Sequence, residues 1–154
     1  YTDRPELGEM VPLLAQQLEA TGFKVTQDVR EYNQIESEAL AGKFHAVLVS
    51  RSTVLDSGDA VAYMTADFSS SGSYAMSGLH DEKVDAAISK AAVAEPGDER
   101  RRAIMAAEQA ILASGAAIPL AHERLIQGEA SGVTGAQRDP GERALITSAT
   151  TVKK

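Results

Sequence analysis

Apolar positions along this chain alternate between helical and strand-like spacing, and the first helical stripe is made by Leu7, Met10, Val11, Leu14 and Leu18. Intervals of three, four and seven residues place these side chains on one face of a helix over residues 5–21. Pro5 suits the first turn, and Glu6 and Glu9 suit the positive end of the helix dipole. Pro12 predicts a kink or a later start, because an interior proline lacks the N–H and crowds the preceding turn. Gly22 supplies the left-handed stop. Residues 23–29 then alternate with period two, which is a strand pattern. Tyr32, Ile35, Ala39 and Leu40 restore the helical spacing as far as Gly42, and Ala46, Val47, Leu48 and Val49 form an unbroken apolar run of the kind found in strands covered on both faces.

Further along, Val61, Met64 and Ala66 mark a helix over residues 59–68, followed by a Ser- and Gly-rich turn, residues 69–73, that leads to Tyr74. The most legible stretch is residues 79–120. Val84, Ala87, Ile88 and Ala91 share one helical face behind the acidic Asp81, Glu82 and Asp85, and Pro96 with Gly97 break that helix. Asp98 is a good N-cap for the next helix, whose apolar side reads Ile104, Ala107, Ile111 and Leu112 until Gly115. Residues 117–120 read as a buried strand and residues 124–127 as another. A Gly, Asp and Pro loop over residues 131–142 and a last strand or extended tail over residues 144–151 complete the chain.

This β-α-β rhythm predicts an α/β domain: a mixed sheet of four or five strands, residues 23–29, 46–50, 117–120 and 124–127 among them, with helices on both faces and right-handed crossovers. Residues 1–130 form the domain and residues 131–154 a loop and returning tail. In open sheets of this kind ligands collect beyond the carboxyl ends of the strands, which points to Ser50, Arg51, Ser52 and Thr53.

Composition narrows the field. The 154 residues suffice for one core and fall short of two lobes. A formal charge of −7 argues against nucleic acid or an anionic membrane as partner, because a basic face is what attracts phosphate. With no cysteine, thiol catalysis, disulfides and thiolate metal sites are excluded. No apolar run reaches the roughly 20 residues of a bilayer span, and no targeting segment is expected at Tyr1.

Glu82-Lys83-Val84-Asp85, Asp98-Glu99-Arg100-Arg101 and Ile118-Pro119-Leu120, in that order after a loop with Tyr and Gly, resemble the C-terminal lobe of family 5 extracellular solute-binding proteins. These are the peptide, dipeptide and nickel receptors of ABC importers. Gly22-Phe23-Lys24-Val25 is similar to a helix-to-strand junction of the same lobe. The resemblance implies a periplasmic-binding-protein-like lobe that is a fragment of such a receptor, contributes half of an interlobe cleft for a peptide or similar small polar solute, and closes by a hinge. It also implies membrane subunits of the transporter as partners of the full-length protein. The location would be extracytoplasmic, periplasmic or tethered through a lipidated N-terminus outside this chain. Where the family often carries Trp and a D-P pair in the loop after the strand, this chain has Arg51 and Asp56 or Asp59. A lobe parted from its receptor exposes apolar surface, so self-association is expected, as a two-fold dimer joining sheet edges or swapping residues 144–154.

The candidate ligand-binding residues are therefore Ser50, Arg51, Ser52, Asp56, Ser73, Tyr74 and His122. Arg51 can pair a ligand carboxylate bidentately, or can equally pair a neighbouring acid of the chain. His45, His80 and His122 have no metal-ligand spacing, and neither a hydrolase elbow nor a phosphate loop is present, so no catalytic residue, cofactor or metal is expected. Two other readings stay open: a free-standing α/β enzyme subdomain with its site at the same strand ends, and a small interaction module.

Overall fold

The computed structural model of the chain describes residues 1–51, 58–122, 128–138 and 144–153. Five helices dominate it: α1 (Pro5–Ala20), α2 (Tyr32–Leu40), α3 (Ala60–Phe68), α4 (Glu82–Val93) and α5 (Asp98–Ala113). All five stand where the apolar spacing puts them. The α1 helix starts at Pro5 and runs on through Pro12, so it does not start late. Gly22 and Gly115 take positive φ just beyond α1 and α5, which is the stop that L side chains supply poorly. Asp81 caps α4 by accepting from the N–H groups of Lys83 and Val84, and Asp59 caps α3 through Val61 N–H. At α5 the N-cap is Gly97, and Asp98 is the first helical residue.

The core lies among α3, α4 and α5, the three helices that pack on one another. Val61 and Met64 of α3, Val84, Ile88 and Ala91 of α4, and Ala103, Ala107 and Ile111 of α5 are buried together. Fully burying an aliphatic side chain the size of Val84, Ile88 or Ile111 stabilises a fold by about 1.5–3 kcal/mol. The alanines let α4 and α5 approach closely. Arg100 of α5 ties the bundle further: its guanidinium donates to the carbonyls of Ala91, Ala92 and Ala94 at the end of α4 and pairs with Asp59 at the start of α3. Within the basic run at residues 100–102 Arg100 is thus structural, while Arg101 and Arg102 are exposed.

The expected α/β lobe is overturned. Residues 23–29, 46–50 and 117–120 belong to no ladder, and no sheet of four or five strands exists among the described residues. What pairs instead are two short antiparallel ribbons near the C-terminus. In one, β1 (Val133–Thr134) joins β4 (Thr151–Val152); in the other, β2 (Gln137–Arg138) joins β3 (Ala144–Leu145). The physical reason is that alternation marks a segment able to be a strand, whereas a strand exists only when its N–H and C=O groups meet a neighbour. Among the described residues, the backbone from Phe23 to Arg30 makes only two such bonds outside helices: Phe23 N–H to the Leu18 carbonyl, and Thr2 N–H to the Arg30 carbonyl. The apolar side chains of these segments stay in part outside: Phe23 is 65% exposed and Ile118 is 78% exposed. The predicted strand at residues 124–127 lies outside the described residues.

Arg30 holds the segment after residues 23–29 against α2, since one guanidinium nitrogen donates to both Asp28 and Glu38 at 2.9 Å. Among the described residues no helix is long and apolar enough to cross a membrane.

Candidate functional site

The site forms at the carboxyl end of α3. Tyr63 and Asp67 are four residues apart and so project from one face of that helix. Arg51 reaches them from the end of the segment that follows α2. Its Nε donates to Asp67 Oδ2 at 3.0 Å and its Nη2 to Oδ1 at 2.8 Å, a bidentate fork. The carboxylate sits at the negative end of the helix dipole and is nearly buried, with 10% of its side chain exposed, so Arg51 supplies the charge it needs. Burial pushes the Asp67 carboxyl above its ordinary value while the Arg51 fork pulls against that rise. For Arg51, burial works against the proton, and the hydrogen bond and charge of Asp67 overcome it, holding the guanidinium above its usual value.

Tyr74 is brought back over this pair by the turn at residues 69–73. Gly72 makes the return possible, because a Cβ there would run into the carbonyl oxygens of Ala66 and Thr65. Beyond it, Tyr74 N–H donates to the Ala66 carbonyl at 2.9 Å, satisfying a free acceptor of the last turn of α3. The Arg51 guanidinium carbon then lies 4.4 Å from the centre of the Tyr74 ring and 5.3 Å from that of Tyr63. Tyr63 in turn meets Phe68 edge to face. Burial raises the phenol pKa of both Tyr63 and Tyr74, so both are neutral at physiological pH.

The other side is built by the N-terminus. Tyr1 Oη lies 3.3 Å from the Ser50 carbonyl, to which it donates, and 3.4 Å from the Ser50 N–H. The Tyr1 ring meets that of Tyr32 edge to face at 4.9 Å. Between these groups is an open hollow of about 300 Å³, bordered by Tyr1, Tyr32, Val49, Ser50, Arg51 and Tyr74, with Asp3 and Arg4 at its margin. All four tyrosines of the chain belong to this cluster, three of them bordering the hollow. The Tyr32 hydroxyl is buried and has no hydrogen-bond partner among the described residues.

Of the residues the sequence singled out, Ser50, Arg51 and Tyr74 come together here. Ser73 is exposed beside Tyr74 and does not border the hollow, and His122 is exposed away from it. Ser52 and Asp56 lie outside the described residues. The carboxylate that Arg51 pairs is Asp67 of its own chain, and the open sheet that led to this loop is absent. Sequence reasoning passed over Tyr1, Tyr32, Tyr63 and Asp67. The signal that could have found two of them is the four-residue spacing of Tyr63 and Asp67.

A second hollow, of about 310 Å³, lies between the end of α3 and α4, bordered by Thr65, Ser69, Ser71, Asp85, Ile88 and Ser89. Several of its polar groups are occupied locally: Thr65 donates to the Val61 carbonyl, Ser69 to the Thr65 carbonyl, and the Asp85 carboxylate accepts from Ser70 N–H. Among the described residues no cluster of His, Cys, Asp and Glu could hold a metal ion. Compared with family models, curated proteins and solved structures, the chain matches none.

Proposed function

We propose that the chain is the solute-facing part of a receptor that delivers a small polar solute, a peptide or a compound of similar size, to an ABC importer. The observation that carries this reading is the convergence of Tyr1, Tyr32, Ser50, Arg51 and Tyr74 on one open hollow, with polar edges set in aromatic walls. Pockets for small molecules have that make-up: mostly apolar or aromatic lining, a few placed polar groups, and a volume of about 300–1,000 Å³. Open on one side, the hollow makes half of an enclosure, and another part of the receptor supplies the other half. The resemblance of residues 82–85 and 98–101, both of them helix starts in the structure, to the family 5 receptors adds the transporter and the extracytoplasmic setting to the reading.

Half an enclosure is expected to bind weakly; a Kd of about 1 mM would correspond to about 4 kcal/mol. The chain has four tyrosines and no tryptophan, so intrinsic tyrosine emission reports this site almost alone. Titration with short peptides is expected to give a saturable change that Tyr74→Leu weakens. Emission that stays flat up to tens of millimolar peptide would overturn the reading.

A further inference from the structure

From the charge balance and ring content of the hollow we infer that its ligand enters with a planar aromatic ring and is not held by an anionic group. This inference rests on the solute-binding reading above and names the chemistry of the solute. Arg51, the obvious anchor for a ligand carboxylate, already has the Nε and Nη2 edge of its guanidinium engaged by Asp67. Its fork holds Asp67 at 2.8 and 3.0 Å, so the wall it builds carries one positive and one negative charge. The margin repeats that balance with Asp3 and Arg4. Among the described side chains, Arg4 and Arg51 at the hollow are balanced by Asp3 and by Asp67 behind Arg51.

Rings, by contrast, are concentrated. Tyr1, Tyr32 and Tyr74 border the hollow, and Val49 adds an apolar surface. The Tyr74 ring lies against the Arg51 guanidinium, which in turn is fixed by Asp67, and this holds the ring in place. Tyr1 is fixed by Ser50 and by the edge of Tyr32. Pre-positioned rings lose little entropy when another ring packs on them. The space fits: a cavity of about 150 Å³ holds benzene, so about 300 Å³ has room for one ring side chain with a short polar tail. Arg51 is therefore a positioning residue for Tyr74.

The test compares three dipeptides of one frame on the full chain: glycyl-phenylalanine, glycyl-leucine and glycyl-aspartate, each followed by tyrosine emission at 50 and 500 mM salt. Glycyl-phenylalanine is expected to bind about fivefold tighter than glycyl-leucine, the increment of one stacked pair, and with no dependence on salt. Tyr74→Leu is expected to weaken both ligands and to erase that preference, so that glycyl-phenylalanine and glycyl-leucine bind the variant within twofold of each other. Equal affinity for the ring and the leucine side chain, or tightest binding of glycyl-aspartate weakened by salt, would overturn the inference while leaving the solute-binding reading intact. Absence of binding by all three would overturn both.

Discussion

Replacing Arg51 by methionine separates a structural role of this residue from a ligand-receiving one. Methionine keeps an apolar stem against Tyr63 and Tyr74 but leaves Asp67 without its cation. Breaking a fully buried pair costs about 3–5 kcal/mol, and an exposed pair contributes about 0–1 kcal/mol. Here Asp67 is nearly buried, while 37% of the Arg51 side chain is exposed, so the loss falls between, at about 2 kcal/mol. Two cation–π contacts with a partly exposed guanidinium add about 0.5 kcal/mol each, bringing the total to about 3 kcal/mol. For a domain of this size that lowers Tm by roughly 6–12 °C. Urea unfolding followed by far-UV circular dichroism reads the change directly. Acid adds a second check. Because burial raises the Asp67 pKa, the folded state holds that proton more tightly than the unfolded chain, and the group favours folding most in acid and least above its folded value. Without Arg51 this asymmetry grows, so the deficit of the variant should shrink as pH falls toward about 4. A deficit below about 0.5 kcal/mol at pH 7, or one that widens in acid, would refute the account of the Arg51–Asp67 wall.

Three further outcomes follow from other parts of the structure. Tyr32→Phe removes a buried hydroxyl that has no partner among the described residues, so urea unfolding should find stability unchanged or raised by up to about 1 kcal/mol, and a loss above that would mean that the hydroxyl is paired. Asp85 is held below its ordinary carboxylate range by its hydrogen bonds with Ser70, and Glu38 by Arg30 and then Lys43. Such groups add stability above about pH 4 that is lost as pH falls through their folded values, so Asp85→Asn, which keeps an acceptor for Ser70 N–H, should flatten the acid slope of an unfolding curve. An unchanged slope would remove Asp85 from that balance. Phe23, Ile118 and Ile146 are exposed by 65%, 78% and 88%, which favours self-association; small-angle scattering should show the radius of gyration rising with concentration above the about 15 Å of a compact monomer. A constant value would show that these side chains are tolerated in water.

Helices were legible in this sequence because their hydrogen bonds are local. The spacing of Val84, Ile88 and Ala91 fixes both a helix and the face it buries, and Gly22 and Gly115 mark helix ends; in α5 the reading Ile104, Ala107, Ile111 and Leu112 is turned slightly, since Ala103 is buried and Leu112 is 39% exposed. The strands were misread because pairing is not local. Residues 23–29 alternate and residues 46–49 are continuously apolar, yet neither pattern says which backbone lies alongside, and none does among the described residues. The site was half visible. Arg51 and Tyr74 stood out by residue type and position, and the turn over residues 69–73 pointed to a chain reversal. Asp67 did not stand out, since a carboxylate near the end of a short helix is ordinarily solvated, and only the fold shows it buried. Tyr1 and Tyr32 were hidden for a related reason, because their approach to Ser50 and to each other spans long stretches of chain.

The central claim, that a small polar solute binds against Tyr1, Tyr32, Ser50, Arg51 and Tyr74, is tested most directly by titrating the ¹⁵N-labelled chain with a mixture of short peptides and mapping the amide shifts. The account predicts shifts concentrated at Thr2, Tyr32, Ser50, Arg51 and Tyr74, with α4 and α5 undisturbed. Shifts confined to the hollow beside Thr65 and Ser89, or scattered over the exposed apolar residues with no focus at the tyrosine cluster, would contradict it.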